Sequence, residues 1–336
     1  MDRRRVALVT GCSEGGIGHF LALELVAHGC RVYASARDPA RIRGLAEHGI
    51  AAVQLDVADD ASVRAAVSHV ERDAGRIDVL VNNAGCMCVG PVVETPLAAA
   101  RAMLDTNVLG AARVAAAAAP AMIARRSGTI VNIGSSSGYA ATPWVGLYAA
   151  SKAALHSMSD AMRAELAPFG VHVAVVAPGA IRSHIADANR DVGLPAGSPF
   201  EPALAAIRAR AVLSQTGRST PTARFARAVV PQILAARPAP YIAYGNYALA
   251  SWLLYYIPPR IRDWLFARRF GTGALARHVA ASASASASAS ASTSTSASAC
   301  PATGCSVAAS SFACPLASPL LWSALAAALA AAYAFS

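Results

Sequence analysis

Lysine is nearly missing from this chain. One lysine, Lys152, stands among 29 Lys and Arg residues, so every other permanent cation on a side chain is an arginine. Acidic residues are scarce too, 19 against those 29, which leaves a formal charge of +10. Such a balance suits nucleic acid, an anionic membrane surface or an acidic ligand. The arginines are scattered, however, with no arginine-rich helix or interleaved basic and aromatic array, and this excludes nucleic acid as the expected partner. A long apolar run is missing near the start, where MDRRRVALVTGC holds only Val6 to Val9, too short for a secretory signal. The seven cysteines lack metal-type spacing, and Cys300, Cys305 and Cys314 fall in low-complexity sequence. Free thiols in a reducing, cytosol-facing compartment are expected, with no metal site.

Hydrophobic residues make up 55% of the 336 and charged residues only 14%, ample for a sizeable core and high for a purely soluble protein. Over the first 245 residues, short β-branched runs alternate with helix-length segments. Residues 6–10, 31–36, 51–56, 77–85, 128–133, 171–179 and 240–245 read as seven strands. Most are apolar throughout, as strands covered on both faces must be. Residues 20–28, 61–72 and 148–166 are long enough for crossover helices. The alternation predicts a doubly wound α/β fold, a parallel seven-stranded sheet with helices on both faces, over residues 1–245.

After residue 245 the character changes. Residues 246–270 carry seven aromatic side chains mixed with arginines and broken by Pro258 and Pro259. This reads either as a segment at a membrane interface or as a flap over the active site or a partner subunit. Residues 271–315 contain an alternating Ala/Ser/Thr tract at 280–299 with no large apolar side chain, for which disorder is predicted. The apolar extension ends in residues 316–336. Its uncharged stretch from Leu320 makes about 24 Å of helix, short of a hydrocarbon core about 30 Å thick. A C-terminal membrane anchor therefore requires a start near Leu316 and the inclusion of Ser318 and Pro319.

The first strand runs into TGCSEGGIG, residues 10–18, and then a helix. Glycine is needed where the chain turns tightly, where backbone approaches a pyrophosphate, and where helix packs on strand; Gly11, Gly16 and Gly18 fill those places. The helix offers free N–H groups and its positive dipole end to phosphate. Arg37 follows the end of strand two. An acid there would accept from the ribose hydroxyls of NAD, whereas an arginine suits a 2′-phosphate, so NADP(H) is the expected cofactor; Asp38, next in sequence, argues the other way. Asp56 and Val57 end strand three where an adenine would lie, and NNAG, residues 82–85, opens strand four toward a cofactor. Each by itself reads first as a strand-end cap and only second as a ligand contact.

Tyr148 and Lys152 lie four apart in a predicted helix, on one face and one turn apart. A phenol loses its proton near pH 10, and a neighbouring cation lowers that value. A compact ammonium also reaches sugar hydroxyls in a slot too narrow for a planar guanidinium. The bland alternative, a surface lysine beside a structural tyrosine, is weakened because this is the sole lysine. Ser135, in NIGSSSG after strand five, is placed to hold a carbonyl oxygen while Tyr148 gives or takes the proton.

These motifs, in this order, resemble the short-chain dehydrogenase/reductase family across residues 5–245. The resemblance implies a Rossmann cofactor turn built from Gly11, Ser13, Gly16, Ile17 and Gly18, and a rim at Asn83, Ala84 and Gly85. It also implies a catalytic tetrad of Asn107, Ser135, Tyr148 and Lys152, in which Asn107 holds a water relaying protons to Lys152. PGAIRS, residues 178–183, would contact the nicotinamide through Pro178, Gly179, Ile181 and Ser183. The family usually has three residues between its first two glycines. Here the Gly15-Gly16 pair adds one, leaving open which glycine meets the pyrophosphate.

The glycine-turn spelling, Ala36-Arg37 and the late aromatic segment look most like the fungal NADPH-dependent 1-acyldihydroxyacetone phosphate reductases. That likeness implies a lipid ketone as substrate and attachment to endoplasmic reticulum or lipid droplets, and the family resemblance implies a homo-oligomer. Arg182, Arg190, Arg208 and Arg210 are candidate partners for a substrate phosphate, each also readable as solvated surface. The alternatives are a dehydrogenase tailoring a polyketide or terpenoid and a dinucleotide-binding scaffold without catalysis.

Overall fold

The computed structural model describes residues 4–189 and 191–293. Its strands are β1 (Val6–Val9), β2 (Arg31–Ala36), β3 (Ala51–Gln54), β4 (Val79–Asn82), β5 (Gly128–Ile133), β6 (Val171–Pro178), β7 (Ile181–Arg182), β8 (Thr220–Pro221) and β9 (Tyr241–Tyr244). The helices are α1 (Ile17–Ala27), α2 (Asp60–Ala74), α3 (Leu97–Leu104), α4 (Gly110–Arg125), α5 (Gly146–Leu166), α6 (Leu204–Ala211), α7 (Thr222–Ile233), α8 (Ala248–Tyr255), α9 (Pro259–Arg269) and α10 (Thr272–Thr293). Seven strands form one parallel sheet in the order β3-β2-β1-β4-β5-β6-β9, while β7 and β8 pair apart from it. All seven strands expected from the sequence are in that sheet.

The unbroken apolar spelling of the strands follows from where alternate side chains go. From β1, Ala7 and Val9 enter one core with Leu21 and Leu25 of α1 and Phe225 and Val229 of α7. Val6 and Leu8 enter the opposite core with Val63 and Val67 of α2 and Val114 and Met122 of α4. Successive residues of a strand point to opposite faces, so a sheet covered twice needs apolar residues at both parities. Fully burying one such Leu or Phe contributes about 1.5–3 kcal/mol.

The strand order reverses at β1: β2 and β3 lie on one side of it, β4 and its successors on the other. At this switch the loops leaving the carboxyl ends of β1 and β4 part company and leave a crevice, the usual place for a ligand in an open α/β sheet. Helix α3, one turn of π-helix (Asp105–Leu109) and α4 run on without a break. That continuous helix is apolar enough by composition to cross a membrane, yet Val114, Ala118 and Met122 bury its face in the core.

The chain divides into two compact units, Met1–Ile257 and Pro258–Ser336, so the first unit extends past the boundary expected at 245 and includes α8. In the second unit, α9 stacks the Arg268 guanidinium 4.1 Å from the Trp264 ring centre, and Phe266 meets Phe270 edge-on at 5.6 Å. Residues 280–293 were expected to be disordered and instead belong to α10. Alanine is the strongest helix former, and the serine hydroxyls return to the backbone, Ser282 to the His278 carbonyl and Ser284 to that of Ala280, both at 3.0 Å. The expected membrane anchor at 316–336 lies outside the described residues, as does the remainder of the linker from 294 to 315.

Candidate active site

The crevice is rimmed by two turns tied together. After β1, Thr10 Oγ1 accepts from the backbone N–H groups of Asn83 and Ala84, each at 3.0 Å. The Asn83 side-chain amide donates back to the carbonyls of Thr10 and Gly11, at 2.8 and 2.9 Å. Gly11 has φ +69°, and a Cβ there would stand 2.7 Å from the Ala84 Cα, so only glycine fits. A Cβ on Gly18 would reach 2.4 Å from the Asn83 amide nitrogen. Asn83, Ala84, Gly11 and Gly18 are therefore one packed unit.

The extra glycine of this turn has a place of its own. Gly15 takes φ +74° and packs beneath His184, whose Nε2 a Cβ would approach to 2.5 Å. Gly16 then caps α1 with an extended backbone and no side-chain cap, its own N–H bonded to the Ser13 carbonyl at 3.0 Å. A Cβ on Gly16 would meet only that carbonyl, so the space in front of the helix N-terminus is open. Of the two, Gly16 has only that carbonyl near its Cβ position, just ahead of the N–H groups of Ile17 and Gly18.

At the end of β2, Arg37 stands exposed. Asp38 is occupied: its Oδ1 accepts from the Ala40 N–H at 2.9 Å and caps the 3₁₀ segment Pro39–His48. Asp56 makes a comparable local turn, accepting from the Ala58 N–H at 3.0 Å, and Val57 is buried against Gly110. Across the crevice, Pro178 ends β6, and Gly179 passes so close to Asn246 that a Cβ would collide with its carbonyl. Ile181 and Ser183 are buried, and the Ser183 carbonyl accepts from the Gln215 amide at 2.6 Å. A cavity of about 440 Å³ opens here, lined by Gly15, Phe20, Ser183, His184, Gln215 and Thr222 among others.

Helix α5 carries Tyr148 and Lys152 one turn apart, both buried. Lys152 Nζ donates to the Ile133 carbonyl at 2.8 Å and lies 5.9 Å from the centre of the Tyr148 ring. Ser135, just past β5, accepts the Ser137 N–H at 3.1 Å, and its hydroxyl meets the phenol. Asn107 occupies the π turn, a local widening often found at functional sites. Its amide nitrogen donates to the Cys86 carbonyl at 2.9 Å and to Ser151 Oγ at 3.0 Å, while its oxygen accepts the Cys86 N–H at 2.8 Å. Ser151 passes the link on to the Tyr148 carbonyl at 2.7 Å. The structure thus brings Asn107, Ser135, Tyr148 and Lys152 into one buried cluster, with the Asn107 side chain engaged in holding Cys86 and α5 together.

Electrostatics correct one expectation. The phenol was expected to be made acidic by its lysine, but burial pushes Tyr148 above its ordinary value, opposed by the Ser135 hydrogen bond and then by the charge of Arg210. Lys152 is itself pushed down to about 8, again by burial. At each group the loss of water outweighs the influence of its neighbours.

The sequence profile described as short chain dehydrogenase matches residues 5–192, the span that holds all four of these side chains and the glycine turn. The chain belongs to the short-chain dehydrogenase family. It is 34% identical over 270 residues to the short-chain dehydrogenase ptmH of Penicillium ochrochloron, which covers 80% of this chain and 98% of that protein. An NADPH-dependent 1-acyldihydroxyacetone phosphate reductase of Schizosaccharomyces pombe is 38% identical over 186 residues, 55% of this chain and 62% of that protein. Among solved structures, a short-chain dehydrogenase from Streptomyces avermitilis has a TM-score of 0.65 at 32% identity, covering 75% of this chain and 91% of that one. This short-chain dehydrogenase is accordingly an oxidoreductase.

Two contributors were given no role by motif reading, and a third was only one of four candidates. Thr10 is the last residue of an apolar strand run, and nothing in its spelling announces the pins to Asn83 and Ala84. Ser151 shares the face of Tyr148 at i+3, a signal that helical spacing does contain. Arg210, on α6, was readable as solvated surface; it is half-buried, with Nε donating to Thr142 Oγ1 at 3.1 Å, and its charge is felt at Tyr148. Of the other arginines considered for a phosphate, Arg182 and Arg208 are exposed, and Arg190 lies outside the described residues.

Proposed function

We propose that this oxidoreductase reduces the ketone of an apolar molecule bearing an anionic group, with 1-acyldihydroxyacetone phosphate as the example. NADP(H) is the cofactor, and the residues present fit it. Little stands near the Cβ position of Gly16, α1 begins without a side-chain cap, and Arg37 stands exposed just past β2. When bound, NADP(H) supplies the hydride. Gly16, Ile17 and Gly18 would hold the pyrophosphate, Arg37 the 2′-phosphate, Asp56 and Val57 the adenine, and the turn at Pro178, Gly179, Ile181 and Ser183 the carboxamide.

The chain's own groups handle the proton. Tyr148, kept protonated through neutral pH by its burial, is set to donate to a carbonyl oxygen, which favours reduction over oxidation in the resting site. Ser135 Oγ accepts from Ser137, leaving its own proton to orient that oxygen. Lys152 spends one N–H on Ile133 and has two for the ribose hydroxyls.

Replacing Arg37 by Ala is expected to weaken NADPH binding by about 10- to 100-fold, the worth of a charge-assisted hydrogen bond. NADH binding should barely change. Fluorescence titration of both dinucleotides checks this, and an equal loss for the two would remove Arg37 from the phosphate.

The substrate reading is carried by one observation, the half-buried Arg210 guanidinium, held by Thr142 and with its charge felt at Tyr148. A cation whose charge reaches the tyrosine suits a substrate that carries a phosphate or carboxylate. The competing reading, a neutral polyketide or terpenoid ketone, shares the whole catalytic cluster. Consumption of NADPH with an acyl-dihydroxyacetone phosphate, its phosphate-free counterpart and a polycyclic ketone separates the two. Arg210→Met is expected to raise KM about 10- to 100-fold for the phosphate ester alone. Turnover of the polycyclic ketone with none of the phosphate ester would give the second reading the case.

The same proposal places the enzyme at a lipid surface. On α8, Leu249, Trp252 and Tyr255 are 68%, 42% and 61% exposed, and their spacing puts them along one face. Aromatic and leucine side chains so displayed, on a chain of net charge +10, suit an anionic bilayer interface. Full-length protein should pellet with phosphatidylserine-containing vesicles, and a Leu249→Ser, Trp252→Ser, Tyr255→Ser variant should lose most of that binding. An unchanged bound fraction would remove α8 from the contact.

A further inference from the structure

His156 is the buried titratable group that the proposed mechanism leaves unused. It lies on α5 two turns beyond Tyr148 and one beyond Lys152, so it shares their inward face. Its Nε2 accepts the backbone N–H of Ser135 at 3.3 Å. The ring is held on its other sides by Tyr139, with centroids 5.2 Å apart, and by Tyr241, edge-on at 5.7 Å. Tyr241 is fixed in turn by its hydroxyl, which donates to Asp160 Oδ2 at 2.8 Å, and Arg163 holds the other oxygen of Asp160 at 2.6 Å.

The loop has been cut to fit the ring. Ser135 stands in GSSSG, and the two flanking glycines have negative φ, so neither is required by backbone strain. A Cβ on Gly134 would stand 2.1 Å from His156 Nε2, and one on Gly138 would stand 2.7 Å from Cε1. Both glycines exist in this loop as the space that the imidazole fills. The Ser135 N–H is the first donor after β5, since the Gly134 N–H is spent on the Val176 carbonyl.

We propose that His156 is a positioning residue for the reduction: its Nε2 anchors the Ser135 backbone and so aims the Ser135 hydroxyl at the carbonyl oxygen beside Tyr148. The inference rests on the reading of Ser135 given above. It requires an unprotonated Nε2, and burial together with the nearby Lys152 charge pushes His156 down to about 4, so the ring stays an acceptor across the working range. An N–H left unpaired in this buried loop would seek another partner, and rotation of the Ser135 backbone is the simplest way to find one.

The test uses full-length enzyme and four variants: His156→Leu, His156→Gln, Ser135→Ala and the Ser135→Ala/His156→Leu double. Gln places its side-chain oxygen near the position of Nε2 and keeps an acceptor; Leu fills the site without one. The expected result is a kcat lowered about 10-fold in His156→Leu, as a buried donor loses its partner, with NADPH affinity unchanged. His156→Gln should recover most of that loss. In the Ser135→Ala background the His156→Leu change should cost almost nothing further, because the hydroxyl it aims is gone. Equal losses in the Leu and Gln variants, or a full His156→Leu penalty persisting without the Ser135 hydroxyl, would overturn the proposal and leave His156 a core residue. A Ser135→Ala enzyme with parental kcat would instead overturn the reading of Ser135, a distinguishable outcome. Thermal melts of all four guard the comparison: a His156→Leu protein that loses its fold is replaced by His156→Met, with the same two criteria.

Discussion

Tyr148→Phe is expected to lower kcat for ketone reduction by about 10²- to 10⁴-fold, the range that a positioned general acid supplies. The substitution removes one oxygen from a ring that is 8% exposed and leaves its packing intact. The lost hydrogen bond to Ser135 is offset by burying one polar group fewer, so stability should change by no more than about 1 kcal/mol. NADPH should bind as before, because Lys152 and the glycine turn are untouched. Steady-state kinetics, a thermal melt and a dinucleotide titration on one preparation decide the matter. A Phe variant with parental kcat would mean that Tyr148 gives no proton, and the non-catalytic scaffold reading would return.

Lys152→Arg is expected to cost nearly as much, about 10²- to 10³-fold in kcat/KM, although it preserves the charge. Lys152 is 3% exposed, and its nitrogen is bonded to Ile133 at 2.8 Å. Gly85 borders the same pocket, where a Cβ would stand 3.6 Å from Nζ and 3.2 Å from Asn107 Oδ1. A planar, wider head group must displace its neighbours, and overpacking of this kind typically costs about 1–3 kcal/mol in stability. Lys152→Met should also lose activity but should melt higher at pH 7, since it no longer confines a cation in a dry site.

The pH sign follows from the same burial. The folded enzyme releases the Lys152 proton near 8, whereas the unfolded chain holds it to 10.5. Between those values the unfolded state binds more protons, so stability rises with pH through that window, and below it the full penalty of the buried charge is present. The rise should vanish in the Met variant. Since kcat/KM reports the free enzyme, its reductive value should fall as pH climbs through about 8. A profile flat to pH 10 would mean that the ammonium plays no part.

The sheet was legible because covered strands must be apolar at both parities, a constraint written into each run separately. The glycine turn and Lys152 were legible for a related reason: each asks for the one residue type that fits, Gly11 by its left-handed backbone and Lys152 by a slot too small for arginine. The electrostatic balance at Tyr148 was not legible. Spacing places a lysine one turn away but says nothing of how dry the pair becomes, and dryness reversed the expected direction. His156 escaped for want of a motif, and Arg210 was one of four candidate arginines that nothing in the sequence told apart, because α6 approaches the tyrosine only through tertiary packing. The fate of residues 280–293 turned on a competition between poor burial and high helix propensity, and absence of large apolar side chains measures only the first.

Reduction of a ketone with NADPH carrying deuterium at the transferable position of its nicotinamide tests the central claim most directly. The account predicts product with a single deuterium on the new carbinol carbon, formed by the parent and lost in step with turnover in Tyr148→Phe. Product formed without deuterium at that carbon, or formed equally by both proteins, would contradict it.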